Sequence, residues 1–335
     1  MKTFVEYVWI DGNDGLRSKT RVMDKEITNL NELPIWNFDG SSTNQAPGED
    51  SEVLIHPCAL FNDPMRKHHH KMVLCETTNP VNVPLKNSYR RWAKSIFDSA
   101  PEKEPWFGLE QEYFLLNRIT HKPLGYDGAV KQGQYYCSVG AENAFGRVIV
   151  EEHLEACVNA GIQISGVNAE VAPGQWEFQI GPCLGIEQGD HLWMARFLLY
   201  RIAENHGVTV TMNPKPLEGD WNGSGCHANY STKEMREGTD TKTGLDFIYE
   251  VIDKLSKKHL DHMMVYGKDN EKRLSGLHET SRYNDFSSNI ANRGCSIRIG
   301  NNTYTEKKGY FEDRRPSSNC DPYLVSAKLF ETTLL

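Results

Sequence analysis

No apolar stretch of this 335-residue chain approaches the roughly 20 residues with which a helix crosses a bilayer, so no membrane role is expected. Its first residues, Met1-Lys2-Thr3-Phe4-Val5-Glu6, lack the apolar centre of a secretion signal. The eight cysteines never fall in a Cys-x-x-Cys spacing. Without a secretion signal, the simplest reading is free thiols in a reducing cytoplasm. A basic excess is also missing: the net charge is -8, which speaks against a general nucleic-acid binder. An anionic substrate stays open, because a local arginine cluster overrides the mean field. There is no G-x-x-x-x-G-K-[ST] phosphate loop, so any nucleotide must be held by another architecture. Neither an internal repeat nor a low-complexity tract is present.

What is present begins with short strands. Residues 4–10 are apolar and β-branched, 11–15 are turn-formers, and 16–23 continue as a second strand. Residues 53–55 and 71–76 read as further strands. The stretch 79–84, with Pro80 and Pro84, cannot be helical and marks a boundary between residues 1–82 and 83–335. Helices are expected after it. One is capped by Asn87 and runs to Asp98; others cover 141–160, 187–206 and 245–266, stopped by Gly161, Gly207 and Gly267. The expected architecture is α+β, a small β-rich domain followed by a larger mixed one.

In Phe107-Gly108-Leu109-Glu110-Gln111-Glu112-Tyr113-Phe114 the apolar flanks mark a strand. Glu110 and Glu112, two apart, leave the same face. Neighbouring carboxylates stay ionised together only with positive charge between them, which a hard divalent cation supplies. A solvated strand face is the other reading of a lone Glu-x-Glu. Glu170 and Glu177 flank the turn Ala172-Pro173-Gly174, which lets both face one site despite their odd separation. Trp176, Phe178 and Ile180 alternate with Glu177 and Gln179, so one face packs and the other is left for a ligand.

The run Asn222-Gly223-Ser224-Gly225-Cys226-His227 offers close backbone approach and an imidazole. Its loose G-x-G-x-x-A match lacks a surrounding βαβ unit and is not read as a dinucleotide fingerprint. For His227 alone, a structural role stays open. Arg273, Arg293, Arg298 and Arg314 form a basic block suited to forked recognition of phosphate or carboxylate. Surface ion pairing is the other reading for any one of them. His68-His69-His70 reads as a solvated loop.

These segments, in this order, resemble the glutamine synthetase family in its eukaryotic form (type II), almost from end to end. The resemblance rests on Trp36-Asn37-Phe38-Asp39-Gly40-Ser41-Ser42-Thr43, the Glu110/Glu112 strand, the segment 170–181 and the 222–227 run. Leu277-His278-Glu279-Thr280, Ala291-Asn292-Arg293-Gly294 and Phe311-Glu312-Asp313-Arg314-Arg315-Pro316 complete it. It implies a β-grasp domain, a larger catalytic domain, and ATP-dependent ligation of ammonia to the side chain of glutamate through a γ-glutamyl phosphate. That would place the chain in glutamine biosynthesis and nitrogen assimilation.

The resemblance also implies roles for residues. Glu110, Glu112, Glu170, Glu177, His227 and Glu312 would bind Mg²⁺ or Mn²⁺. Arg293 and Arg298 would neutralise the transferring phosphoryl group. Arg273 and Arg314 would meet substrate carboxylate and phosphate, and Asn222 and Gly223 the backbone groups of glutamate. Asp39, with Ser42 nearby, would bind and deprotonate ammonium, and Glu279 would lie on a flap that excludes water. ATP contacts would come from Trp106, Glu177, Phe178, Gln179, Ile180, Gly181, Pro182, Asn229, Ser231, Tyr310 and the two arginines. The active site would lie between subunits of a pentameric ring stacked into a homodecamer.

Some features depart from the family pattern. The chain starts almost on its first strand, without an N-terminal helical extension, and ends soon after Asp321-Pro322-Tyr323. Gly300-Asn301-Asn302 stands where a basic pair is expected after Ile299. Two further readings remain: a ligase joining glutamate to a larger amine, and a catalytically inactive structural relative. Retention of all six matched ligands speaks against the latter.

Overall fold

The computed structural model describes residues 2–66, 69–128 and 132–335. Strands β1 (Thr3–Ile10), β2 (Leu16–Met23), β3 (Trp36–Asp39), β4 (Glu52–Asn62) and β5 (Lys71–Thr78) form a sheet in the order β2-β1-β5-β4-β3. β1 and β5 run parallel; the other neighbours are antiparallel. Alternation along β1 serves two cores. Val5, Tyr7 and Trp9 pack with Ile27, Leu33, Ile55 and Val73. Val8, with Met72 and Leu74 of β5, joins the large core of the rest of the chain. Burying each such aliphatic side chain stabilises by about 1.5–3 kcal/mol, which fastens the sheet to the larger body. Arg90 adds a polar tie, reaching Glu76 at 3.0 Å and Asp190 at 2.7 Å.

The second sheet contains β6 (Trp106–Asn117), β7 (Ile164–Ala169), β8 (Gln175–Leu184), β9 (Val208–Thr211), β10 (Cys226–Ser231), β11 (Ser288–Ile290), β12 (Ile297–Ile299) and β13 (Phe311–Asp313). Its order is β11-β12-β13-β10-β6-β8-β7, with β9 paired to the far end of β6. Helices are α1 (Arg90–Asp98), α2 (Arg147–Ala160), α3 (Glu187–Asn205), α4 (Lys233–Glu237), α5 (Gly244–Lys257), α6 (His259–Met263), α7 (Asn270–Arg273), α8 (Asn301–Glu306) and α9 (Pro322–Leu334). None is long and apolar enough to cross a membrane, among the described residues. Leu109, Gln111 and Tyr113 of β6 point into the protein and are buried, with α3 behind them. Glu110 and Glu112 leave the other face, where a cavity opens.

Three expected helices differ. The first begins at Arg90, because Asn87 Nδ2 donates instead to Gly12 O (2.9 Å) and Asp14 Oδ1 (3.0 Å) in the β1–β2 turn. The second begins only at Arg147. Gly146 stands before it in the left-handed region (φ 89°), and Phe145 O accepts from Trp176 Nε1. The stretch 245–266 is two helices broken at Lys258 (φ -111°, ψ 15°), where His259 Nε2 donates to Tyr283 O. Of the histidine run, His68 lies outside the described residues. His69 and His70 lie in the loop between β4 and β5, half-buried, where His70 stacks on Phe4 and His69 meets Lys2 O beside the start of β1.

Candidate active site

The acidic residues come together by register. β10 pairs with β6 so that His227 stands opposite Glu110, and β8 pairs on the other side so that Glu177 stands opposite Glu112. Asn168, near the end of β7, is opposite Glu177, and Glu170 follows two residues on. Glu312 of β13 lies opposite Asn229 and Arg298. Two triads result: Glu110, His227 and Glu312, and Glu112, Glu170 and Glu177, each with ligand atoms within 4.8 Å of one another. They line a cavity of about 670 Å³.

Burial first, and neighbouring carboxylates after it, push Glu112, Glu170 and Glu177 up to about 8. Burial and then Arg314 push His227 well below the ordinary histidine range, which keeps its ring neutral. Nδ1 of that ring lies 3.3 Å from Glu110 and 3.5 Å from Glu312. A hard divalent cation fits this donor set: five carboxylates and one neutral imidazole, too crowded to ionise together without positive charge. The residues that would hold it are the two triads.

Arginines close one side. Glu312 receives Arg298 Nη1 at 3.0 Å and Arg314 Nη1 at 2.5 Å. Arg298 Nε is buried with no protein partner among the described residues, a donor left for a ligand oxygen. Arg273 is buried, and its Nη2 donates to the carbonyls of Arg314, Arg315 and Pro316. Its Nε donates to Asn270 Oδ1, so the Nη1 side remains for a substrate. Glycines admit this crowding. A Cβ on Gly225 would stand 2.7 Å from His227 Nε2 and 3.1 Å from Arg273 Nη1; one on Gly223 would stand 2.5 Å from Pro214 O.

A second cavity, about 510 Å³ and mostly apolar, adjoins the acidic one and shares Glu110 and Gln179 with it. Trp106, Ile180, Gly181, Pro182, Asn229, Ser231 and Tyr310 line it, and Arg236 lies 4.1 Å over the Trp106 ring. Four expected nucleotide contacts fall elsewhere. Glu177, Arg293 and Arg298 line the acidic cavity. The Phe178 side chain is buried against Tyr113 and His153, so only its backbone could reach a nucleotide.

Asn222, Gly223, Arg273, Glu279, Arg293, Arg298 and Arg314 all line the acidic cavity. Asp39 and Ser42 do not. Asp39 ends β3, an edge strand of the first sheet, with its carboxylate exposed. The hydroxyls of Ser41 and Ser42 and the Ser41 N–H hold it below the usual carboxylate range. Gln132, Tyr136 and Asn168 line the cavity without having been singled out from the sequence. Gln132 and Tyr136 sit in irregular chain between β6 and α2, where no periodicity marks a function. Gln175 was likewise missed: its amide donates to Gly223 O at 2.9 Å and so props the glycine loop.

Comparison with known proteins bears on this arrangement. The glutamine synthetase β-grasp domain model matches residues 1–80, and the glutamine synthetase catalytic domain model matches residues 86–335. The chain belongs to the glutamine synthetase family. It is 53% identical to a glutamine synthetase of Agaricus bisporus, over 100% of this chain and 94% of the relative. It is also 53% identical to one of Mus musculus, over 98% and 89%. A chloroplastic glutamine synthetase of Brassica napus matches at 53%, over 100% and 78%. The family's β-grasp domain corresponds to the five-stranded sheet, and its catalytic domain holds both cavities.

Proposed function

We propose that the two cavities act as one site of a glutamate–ammonia ligase, which makes glutamine from glutamate and ammonia with ATP. The observation that carries this reading is the sharing of Glu110 and Gln179 by an apolar slot and an acidic, arginine-rimmed pit. The slot suits an adenine ring beside Trp106 and Tyr310. The pit suits the phosphates and the glutamate side chain.

Hydroxide leaves a carboxylate poorly, so the acid must first be activated. An oxygen of the glutamate side chain attacks the γ-phosphorus of ATP, and ADP leaves. Arg293 and Arg298 hold the charge of the transferring group. Mg²⁺ or Mn²⁺ bound by the two triads would add positive charge at the phosphates. Asn222, Gly223 and the Nη1 side of Arg273 orient glutamate. Ammonia attacks the acyl carbon, the C–O bond to phosphate breaks, and the surplus proton is taken by Asp39. Glu279 covers the acyl phosphate against water.

Asp39 is exposed at a sheet edge and absent from the pit lining, which supports a site completed by the Asp39 of a neighbouring subunit. By the family resemblance, the assembly would be a pentameric ring stacked as a decamer. We place the domain boundary at 82/83, a reading supported by the irregular chain between the end of β5 at Thr78 and the start of α1 at Arg90. Eight unpaired thiols support a cytoplasmic setting. Formation of γ-glutamyl hydroxamate from hydroxylamine, dependent on glutamate, ATP and a divalent cation, tests the reading. No hydroxamate under any metal would refute it.

A further inference from the structure

The flap residue Glu279 sits at the tip of a loop whose two ends are pinned and whose middle makes few outside contacts. Ser275 bridges Arg282, and Tyr283 N donates to Leu274 O at 2.9 Å. Within the loop, Thr280 Oγ1 donates to Leu277 O at 2.8 Å. At the tip, His278 and Glu279 both adopt left-handed backbone, with φ 53° and 59°. Two consecutive side-chain-bearing residues rarely hold that conformation unless surrounding contacts impose it. Two contacts reach outward from the tip. Arg314 Nη2 lies 3.4 Å from Glu279 O, and His278 Nε2 lies 2.9 Å from Asp220 Oδ1.

Asp220 belongs to the loop that ends at the substrate-facing Asn222. Gln132 spans that loop: its Nε2 donates to Asp220 O at 2.9 Å and its Oε1 accepts from Asn222 N at 2.6 Å. Gln132, Asn222, His278 and Glu279 all line the acidic pit. A continuous path therefore joins the glutamate-binding backbone to the flap tip, through Gln132, Asp220 and His278.

We infer that His278 and Asp220 form a latch that holds the Glu279 flap over the acyl phosphate and ties its closure to an occupied glutamate site. His278 and Asp220 are positioning residues, not catalytic ones, and this role rests on the flap reading of Glu279 above. Asp220 is largely exposed, so the contact is weak; an exposed polar contact of this kind shifts an equilibrium by up to about fivefold. That strength suits a flap that must open in every cycle to release product. A tighter clamp would make release slow.

The consequence is chemical. While the flap is shut, ammonia is the nucleophile that reaches the acyl carbon. With the latch broken, water attacks the same carbon, the same C–O bond breaks, and glutamate and phosphate are returned without glutamine. The test compares intact chain with His278→Gln, Asp220→Asn, the double variant and Glu279→Ala. Phosphate released per glutamine formed is measured at limiting ammonium. The latch predicts a ratio near one for the intact chain and a several-fold rise in each single latch variant. The double variant should be no worse than either single, because both changes remove one contact. Asp220→Glu, which keeps the charge, should recover part of the loss. An unchanged ratio in both single variants, or additive effects in the double, overturns the latch while leaving the flap intact if Glu279→Ala does raise the ratio. No rise in Glu279→Ala overturns the flap reading and the latch with it.

Discussion

Glu112 and Glu177 stand directly opposite each other on the adjacent antiparallel strands β6 and β8. Like charges in that position destabilise a sheet, and Glu170 adds a third. Above pH 8 and without divalent cations, Glu177→Gln should therefore stabilise the fold by about 1–2 kcal/mol while abolishing turnover. Added Mg²⁺ or Mn²⁺ should raise the melting temperature of the parent chain far more than that of the variant. Thermal melts with and without chelator check this. A variant destabilised in chelator would show that the triad is held by something other than a cation.

The strand between the triads is fixed from behind. Gln111 points away from Glu110 and Glu112, and its Oε1 accepts from Arg196 Nε at 2.9 Å and Nη2 at 2.6 Å. Arg196 also donates to Ser318 O and Cys320 O, both at 3.0 Å. Arg196→Ala takes the donor from Gln111 Oε1 and Cys320 O, while Ser318 O keeps Gln111 Nε2 at 3.0 Å, and should cost roughly 3 kcal/mol. In protein that still folds, metal affinity should drop, with partial recovery in Arg196→Lys. Denaturant unfolding and metal titration report the two effects separately.

Steric fit at Gly225 yields a sharper contrast. An added methyl would press on His227 and Arg273, whereas at Gly48 it would meet nothing within 4 Å. Gly225→Ala should lower turnover by roughly a hundredfold, in keeping with displacement of site groups by about 1 Å. Gly48→Ala should leave turnover unchanged. Steady-state kinetics on both variants checks it.

Acid should unfold the chain partly through His153. This fully buried ring donates from Nε2 to Ala195 O, its Nδ1 has no partner among the described residues, and burial pushes it down to about 4. The unfolded chain takes up this proton near pH 6.5, while the folded chain refuses it until about pH 4. Stability present above pH 6.5 is therefore lost as pH falls through that window, by about 3 kcal/mol. His153→Gln, which keeps an amide donor, should show a flatter stability profile between pH 6.5 and 4. Equal slopes in urea unfolding would rule out His153 as the source.

Much of this was legible because the site is built on strands. The two-residue spacing of Glu110 and Glu112 fixes a common face, and the turn between β7 and β8 brings Glu170 and Glu177 together. What stayed hidden depends on tertiary partners. Asn87 looked like a helix cap until the β1–β2 turn claimed its amide. The residues before Arg147 have helical spacing, yet Trp176 takes the Phe145 carbonyl. Gln132 and Tyr136 reach the site from chain with no regular pattern. Asp39 carried a strong motif, but it lies outside the acidic pit of its own chain, and under the proposed shared site its place of action depends on a neighbouring chain.

That dependence suggests a mixing experiment. Asp39→Ala and Glu110→Ala chains should each be inactive at glutamine synthesis. Rings dissociated and reassembled together should recover part of the activity, because some interfaces would join an intact Asp39 to an intact acidic pit. Mixed rings without recovered activity would mean that each subunit carries a complete site.

In the proposed reaction, glutamate is activated by direct phosphorylation of its side chain. Glutamate labelled with ¹⁸O in both side-chain oxygens, supplied with ATP and ammonium, tests it most directly. Mass spectrometry of the products should find one labelled oxygen in the inorganic phosphate and the other in the glutamine amide. Unlabelled phosphate accompanying labelled glutamine would contradict the acyl phosphate route.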